Sequence, residues 1–359
     1  MKTGKTLVEL ATEIQRQSDT KQDLKVQTQA LRLHTNGESR LDIPGYTDLV
    51  VNDLAHGQVA EHLKIPKPYY DRLRTEHPAL LDTNVNTLFR AAPPQERRLL
   101  RTLERPDGVR TARAFLSEKF RPLDNDELLE AVLPVLHDER DLQIVSMEVT
   151  DRRLYLKVVS PRRQADVKVG DTVQIGAVIS NSEVGYGAIS VQPLSYRLIC
   201  LNGAIHNTLG TRRNHVGRIL AGEGDSDSVA SMLSERALRA ENTAFFLKLV
   251  DVIKGTFSEA VLTQIVNKMK EAEGARIEGD PVKAVEVLAK KANFNQDERT
   301  SVLRHLIEGG SLTMYGLSQA VTRASQDLPD YDRATEFEQV GGNIYELSRS
   351  EWREIAMAA

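Results

Sequence analysis

The sequence predicts an α+β fold in which an antiparallel sheet with a packed helix forms the middle of the chain. Three observations support this fold class. Between residues 96 and 221, several apolar stretches of strand length are separated by turn residues and by one amphipathic helix. No helical segments join the later strands, which disfavours a doubly wound parallel sheet. The flanking sections are helical, mostly so over residues 1–95 and entirely so over residues 222–359.

The N-terminal section shows short amphipathic helices, the second of which is broken by prolines. Apolar residues recur at helical spacing from Thr6 to Gln17 and again from Val50 to Leu63. Pro66 closes the second stretch, because proline cannot continue a helix without losing a backbone hydrogen bond. The Pro93-Pro94 pair marks a boundary with the middle section, so we place a first domain over residues 1–95.

The middle section, which we place over residues 96–221, alternates strand and turn signals around one helix. Asp124, Asn125 and Asp126 offer a helix N-cap, and apolar residues follow at helical spacing through Leu136. Turn-forming residues separate the apolar stretches, as expected of hairpin connections. The predicted strands are Arg98–Leu103, Val109–Phe120, Leu142–Val149, Leu154–Val159, Thr172–Ser180 and Ala188–Leu201.

The C-terminal section, residues 222–359, is predicted to be almost wholly helical. Its first residues, Gly222–Ser228, are the best linker candidate, since glycine and serine favour a flexible chain. Capping signals then recur, such as Asp280 followed by Pro281. The predicted helices are Ser228–Glu273, as one helix or as two broken near Gly255, then Asp280–Lys291, Asn295–Glu308, Ser311–Asp327 and Ser350–Ala358.

Composition excludes several protein classes. A single cysteine, Cys200, among 359 residues rules out a disulfide framework and an all-thiolate zinc site. No apolar run approaches the roughly 18 residues that a membrane span needs, and the N-terminus turns polar before a signal-peptide core could form. We therefore expect a globular protein of a reducing compartment, with no membrane partner.

The net charge of −4 hides a division along the chain. Residues 1–85 carry 11 Lys/Arg and 12 Asp/Glu, residues 86–220 carry 20 and 16, and residues 221–359 carry 16 and 23. The middle is therefore basic at +4, between sections of −1 and −7. Such asymmetry indicates a polyanion-binding surface beside a solvating or regulatory region.

Three groups of arginines and lysines carry the basic charge of the middle section. Exposed arginines are often solvated or ion-paired, but three groups within one section favour a polyanion site. Two residues of a glycine-rich loop complete the set. The candidate nucleic-acid-binding residues are Arg113, Lys119, Arg121, Arg152, Arg153, Lys157, Asn181, Tyr186, Arg197, Arg212 and Arg213.

The glycine-rich loop, Ser180–Gly187, has two interpretations. One is a hairpin in which Gly185 and Gly187 supply positive φ angles. The other is a contact surface, in which exposed backbone N–H groups and the Tyr186 ring meet phosphate and base. The residues alone leave both open.

Enzyme signatures are missing from the sequence, which has no phosphate-binding loop motif, no zinc-protease motif and no nucleophile elbow. His206 and His215 lie near Cys200 in sequence, so these residues are candidates for a thiolate–histidine pair or for one edge of a metal site. The apolar strand predicted around Cys200 instead favours a buried thiol in the core, with both histidines exposed.

Four carboxylates near strand ends are the candidates for a metal-dependent nuclease. They are Glu148, Asp151, Asp171 and Glu183. Strand-end turns collect acidic residues in any case, so the stronger expectation is a protein without a metal, a cofactor or catalytic residues.

Several segments together carry a resemblance to a known family. Among them are DLAH at 53–56, IPKPYYDR at 65–72, RAFLS at 113–117, RPLDN at 121–125, SNSEVG at 180–185 and RLICLNG at 197–203. In their order and spacing the chain resembles the phage/plasmid-like proteins of family nine-three-two among the domains of unknown function. The resemblance implies a mobile-element origin and the cytoplasm of a bacterial host, and it carries over no catalytic residue.

The strand, helix and strand layout of the middle section is also similar to the DNA-binding core of Rad52-like single-strand annealing proteins. That resemblance implies a homo-oligomer that holds single-stranded DNA in a basic groove by its backbone. We therefore predict a non-enzymatic protein that binds single-stranded DNA or RNA. If six basic residues each neutralise one phosphate, the salt dependence has a slope of roughly −4. The alternatives are the nuclease and a protein-binding module, such as an inhibitor of host defence.

Overall fold

The structure, a computed structural model, describes residues 1–138, 141–207, 211–213 and 235–358. Its strands are β1 (Gln22–Gln27), β2 (Arg32–Asn36), β3 (Glu38–Ile43), β4 (Tyr46–Val51), β5 (Arg97–Glu104), β6 (Arg110–Ser117), β7 (Gln143–Val149), β8 (Leu154–Lys168), β9 (Asp171–Asn181), β10 (Ile189–Arg197), β11 (Asn202–Ile205) and β12 (Thr211–Arg213). Its helices are α1 (Leu7–Thr20), α2 (Asp53–His62), α3 (Lys67–Glu76), α4 (Pro78–Ala91), α5 (Asn125–Asp138), α6 (Glu235–Thr256), α7 (Glu259–Gly274), α8 (Pro281–Ala292), α9 (Gln296–Gly309), α10 (Met314–Ala324), α11 (Tyr331–Ile344) and α12 (Arg349–Ala356). Two largely antiparallel sheets and a helical C-terminal section confirm the predicted α+β class.

The first sheet draws strands from both sides of the boundary predicted at residue 95. Its order is β1–β5–β6–β4–β3–β2, and only the β4–β6 pair is parallel. Helices α2, α3 and α4 pack on one face, where Leu33, Leu41 and Leu49 form a buried row across three strands. Strands β1 to β4 were not predicted, because each has only five or six residues and so carries too few apolar positions for a clear strand pattern.

The second sheet has the order β11–β10–β9–β8–β7, all antiparallel, and β12 also pairs with β10. The strands predicted from Leu142 to Ser180 are confirmed, and β8 continues nine residues beyond its predicted end to Lys168. Strand β10, predicted as Ala188–Leu201, stops at Arg197, because residues 198–201 turn back toward β11.

Helices cover both faces of the second sheet. The predicted helix α5 packs on one face together with α1, α6 and α7, and their apolar side chains form the largest core of the described residues. Helices α10 and α11 contact the β11 edge of the sheet. A third core lies among α8 to α12. No helix within the described ranges is long and apolar enough to cross a membrane.

The C-terminal helices agree with the capping signals in most places. Asp280 caps α8 as predicted, and Asn295, where the next helix was predicted to begin, caps α9. The long stretch before them divides at Ser258, which caps α7. The helix predicted to begin with a capping serine at Ser311 is α10, and Thr313 caps it instead; α11 was not predicted. The linker candidate and the domain boundary at residue 222 lie outside the described residues.

Candidate nucleic-acid interface

Strand register divides the predicted binding residues between two ends of the second sheet. Ser180 pairs with Ser190 at one end of the β9–β10 pair, and Val173 pairs with Arg197 at the other. Seven residues at roughly 3.3 Å each separate these pairs by about 23 Å. Arg197 therefore does not share a groove with the loop that holds Tyr186.

Tyr186 lies at the first of these ends, beside two arginines of the β7–β8 turn. Its side chain is 39% exposed. The Arg152 and Arg153 guanidinium carbons lie 5.0 Å and 5.7 Å from the ring centroid, within the range of cation–π attraction. Arg153 Nη2 also donates to the Tyr186 carbonyl oxygen at 3.0 Å, which ties the loop to the turn.

Glycine is required where the loop passes Arg153. Gly187 has φ of 155°, and a Cβ there would stand 1.8 Å from Arg153 Nη2. Gly185 has φ of 76°, and its added Cβ would meet Leu116 at 2.5 Å. The glycines thus supply the positive φ angles of the first interpretation. The Tyr186 ring is partly exposed, but the Tyr186 backbone N–H donates to Ser182 Oγ at 2.9 Å, so contact with phosphate and base stays a prediction.

Two more predicted residues flank this loop. Phe120 packs with Leu116 and Val184 in a small apolar cluster, which brings the segment after β6 beside the loop. The neighbours of Phe120 are Lys119, which is exposed, and Arg121, which is half-buried. We call Lys119, Arg121, Arg152, Arg153 and Tyr186 the basic end.

The short strand β12 adds two arginine positions next to the basic end. Arg213 pairs with Ile189 and Arg212 with Ser190, at the start of the strand that follows the Tyr186 loop. The backbone therefore brings both residues to the same end of the sheet. Most of the predicted nucleic-acid-binding residues therefore lie at this end of the sheet, although they come from four separate segments of the chain.

The arginines of the β7–β8 turn have few acidic partners. Within the described part of the chain, neither Arg152 nor Arg153 has a carboxylate within ion-pair distance. Asp151 is exposed in the same turn, and Asp332 lies buried behind it, where Thr150 donates to its carboxylate at 3.1 Å. Burial raises the pKa of Asp332, and Arg152 opposes that shift. Both guanidinium groups can therefore donate to an added anion.

Arg113 and Asn181 are buried under the loop, contrary to the expectation that they line a surface. Arg113 Nη2 lies 2.9 Å from Glu183 Oε2, and Asn125 Nδ2 donates to Glu183 Oε1 at 2.6 Å. Asn181 Nδ2 donates to the Leu123 carbonyl and to Asn125 Oδ1. These residues position the loop and do not reach solvent.

Arg101, which was not among the predicted binding residues, is the centre of this buried network. Its guanidinium contacts Asp23 at 2.7 Å, Asp124 at 2.8 Å and the Glu183 carbonyl oxygen at 2.6 Å. Burial raises the pKa of Glu183 despite Arg113. Burial also opposes ionisation of Asp124, but Arg101 and Lys21 hold its pKa well below the usual range. An arginine within an apolar strand was the available signal for such a network.

Lys157 is also buried and does not belong to the interface. Its side chain is fully enclosed, and Nζ lies 2.6 Å from Glu338 Oε2 and 3.1 Å from Thr335 Oγ1. Burial lowers its pKa, against the attraction of Glu338. Lys157 therefore attaches α11 to the second sheet, because a buried ammonium group needs a carboxylate partner.

Arg197 makes a structural ion pair at the far end of the sheet. Its Nε and Nη2 atoms lie 2.6 Å and 2.8 Å from the two Asp171 oxygens, and the Tyr315 hydroxyl donates to Asp171 at 2.7 Å. Arg197 Nη1 also lies 3.5 Å from the sulfur of Cys200. Cys200 is half-buried in the turn after β10, so the prediction of a core thiol is wrong.

His206 is buried, contrary to its predicted exposure. Its Nε2 lies 2.9 Å from Ser195 Oγ, and its ring stacks on Tyr345 with centroids 5.9 Å apart. Burial lowers the pKa of His206 to about 4, so the ring is neutral at pH 7. His215 lies outside the described residues.

The four nuclease candidates do not converge. Asp171 and Glu183 stand at opposite ends of β9. Glu148 pairs with Lys5 at 2.6 Å, and Asp151 is exposed in the β7–β8 turn. Two-metal chemistry needs such groups around one point, and this arrangement does not supply it.

Comparison of the chain with protein-family models, with curated proteins and with solved structures finds no match. The resemblances to phage/plasmid-like proteins and to single-strand annealing proteins therefore stay predictions.

Proposed function

We propose that this protein binds single-stranded nucleic acid at the basic end and performs no catalysis there. The observation that carries the proposal is the partly exposed Tyr186 ring beside two arginines that have no ion-pair partner among the described residues. An aromatic face among cations is the combination that binds a base and its phosphates without reading sequence.

The binding mechanism has an electrostatic and a stacking component. Arg152, Arg153, Lys119 and Arg121 neutralise phosphates, while a base stacks on Tyr186 or on a guanidinium plane. With four phosphates neutralised, the slope of log affinity against log salt is roughly −3. This is shallower than the sequence predicted, since Arg113, Lys157 and Arg197 are engaged inside the protein.

A single strand fits this surface better than a duplex. Loss of one stacked base costs about 1–3 kcal/mol on alanine substitution of the aromatic residue, and a base is free to stack only when it is unpaired. Annealing activity, a phage origin and assembly into a homo-oligomer are finer parts of the proposal. They rest on the resemblances stated for the sequence.

Fluorescence anisotropy with a labelled single-stranded oligonucleotide tests the proposal. Tyr186→Ala should weaken binding about tenfold or more, whereas Tyr186→Phe should bind like the wild type because it keeps the ring. A duplex of the same length should bind more weakly. Equal binding by Tyr186→Ala and the wild type would contradict the proposal, and magnesium-dependent loss of the oligonucleotide would support the nuclease alternative.

A further inference from the structure

Three metal-ligating side chains meet on the first sheet, on a different sheet from the basic end. They are His34 on β2, Asp42 on β3 and Asp48 on β4, and one ligand atom from each lies within 4.8 Å of the others. Successive strand residues point to opposite faces. The leucines beside these three residues face the buried core, so the three face away from it.

A β-bulge shapes this cluster. The register of β3 and β4 shifts between Leu41 and Ile43, and Asp48 has a positive φ of 61°. The Asp48 N–H donates to Asp42 Oδ1 at 2.9 Å, which fixes one carboxylate against the backbone that holds the other. Bulges re-aim side chains in this way and recur beside functional sites.

The distances match metal coordination better than direct hydrogen bonding. His34 Nε2 lies 3.4 Å from Asp42 Oδ1 and 3.6 Å from Asp48 Oδ1. Hydrogen bonds of this type are shorter, at about 2.7–3.2 Å. Ligands placed tetrahedrally at roughly 2.1 Å from Zn²⁺ are about 3.4 Å apart. His34 Nε2 thus already stands at about the separation from each carboxylate that a tetrahedral cation imposes, and the three ligand atoms all lie within 4.8 Å of one another.

The charge of the cluster also favours a cation. Within the described part of the chain, no lysine or arginine forms an ion pair with Asp42 or Asp48. The neighbouring Arg40 pairs with Glu38 at 3.6 Å and reaches only the Asp48 carbonyl oxygen. Two adjacent carboxylates repel each other unless a proton or a cation lies between them.

We propose that His34, Asp42 and Asp48 bind one divalent cation of the Zn²⁺ class. Imidazole with two carboxylates suits zinc and neighbouring transition metals, whereas Mg²⁺ and Ca²⁺ prefer oxygen ligands alone. The three side chains are between 38% and 62% exposed, so a cation enters from solvent and water completes its coordination. Three protein ligands with an open fourth position are typical of zinc sites that also bind an exogenous ligand.

Titration calorimetry of the metal-stripped full chain with ZnCl₂ tests this site, with Co²⁺ as a visible-absorption probe of tetrahedral geometry. We expect one equivalent of Zn²⁺ to bind, and His34→Ala and Asp48→Asn each to weaken it at least about tenfold. Asparagine tolerates the left-handed backbone of Asp48, so Asp48→Asn decides the test even if His34→Ala does not fold.

The matched control is His137→Ala. His137 is an exposed histidine whose Nδ1 lies 3.9 Å from Asp138, without a third ligand near it in the described structure. The His137→Ala variant should bind Zn²⁺ like the wild type. Absence of stoichiometric binding by the wild type, unchanged binding by Asp48→Asn, or equal weakening by His137→Ala would each overturn the proposal.

Discussion

The buried ion pair between Lys157 and Glu338 gives the sharpest prediction about stability. Both side chains are fully enclosed, and their charged atoms lie 2.6 Å apart between the second sheet and α11. The other Glu338 oxygen, Oε1, has no hydrogen-bond partner among the described residues. Lys157→Met keeps the volume of the side chain but leaves the Glu338 carboxylate without its ion-pair partner.

The expected cost follows from desolvation. Removing one partner of a buried pair leaves an uncompensated charge and typically costs about 3–5 kcal/mol. Replacing both partners with apolar residues of similar volume is often neutral or stabilising. The double variant Lys157→Met/Glu338→Leu should therefore recover most of the stability that Lys157→Met loses.

Urea unfolding followed by circular dichroism measures these free energies for the wild type, both single variants and the double variant. Glu338→Leu should be as destabilising as Lys157→Met, since it leaves the ammonium group buried alone. A loss below about 1 kcal/mol in both single variants would refute the reasoning. A double variant as unstable as the single ones would refute it as well.

Three further predictions concern single sites. Burial lowers the pKa of His206 to about 4, while the unfolded chain takes up a proton below about 6.5. The free energy of unfolding should therefore fall as pH falls from about 6.5 towards 4, by roughly 2 kcal/mol at pH 5. In urea unfolding, His206→Gln should lose about 2 kcal/mol less than the wild type between pH 7 and pH 5. Gly187→Ala should displace Arg153 and weaken oligonucleotide binding by at least about threefold in anisotropy, because its Cβ would stand 1.8 Å from Nη2. Gly255→Ala, which meets nothing within 4 Å in α6, should raise the unfolding free energy by roughly 0.5–1 kcal/mol.

Each of these three has a distinct contradicting result. The pH prediction is wrong if His206→Gln shows the same loss between pH 7 and pH 5 as the wild type. The loop prediction fails if Gly187→Ala binds the oligonucleotide unchanged. Destabilisation by Gly255→Ala would show that α6 does not tolerate a side chain at that position.

Much of the fold could be predicted because local signals agreed with tertiary structure. The strands from Leu142 to Ser180 carry long apolar runs, and the caps at Asp280 and Asn295 are followed by amphipathic helices. The short strands β2 to β4 could not be recognised in the same way. Their buried row becomes evident only when Leu33, Leu41 and Leu49 are paired across strands.

The sequence did not allow us to predict which charged side chains are buried. Arg152 and Arg113 look alike in sequence, yet one flanks an exposed ring and the other pairs with Glu183 inside the protein. The difference depends on which segments fold over a residue, and Glu183 lies 70 residues from Arg113 along the chain. Lys157 shows the same, since its partner Glu338 belongs to the C-terminal helices.

The salt dependence of oligonucleotide binding tests the central claim most directly. The Arg152 guanidinium lies over the Tyr186 ring, while the hydrogen bond to the loop carbonyl comes from Arg153, so Arg152→Ala removes one cation without unlinking the loop. Arg162 is an exposed arginine further along β8, and Arg162→Ala is its matched control. We predict a wild-type slope of roughly −3, a slope about 0.7 shallower for Arg152→Ala, and no change for Arg162→Ala. Absence of binding at low salt, or identical slopes for all three proteins, would contradict nucleic-acid binding at the basic end.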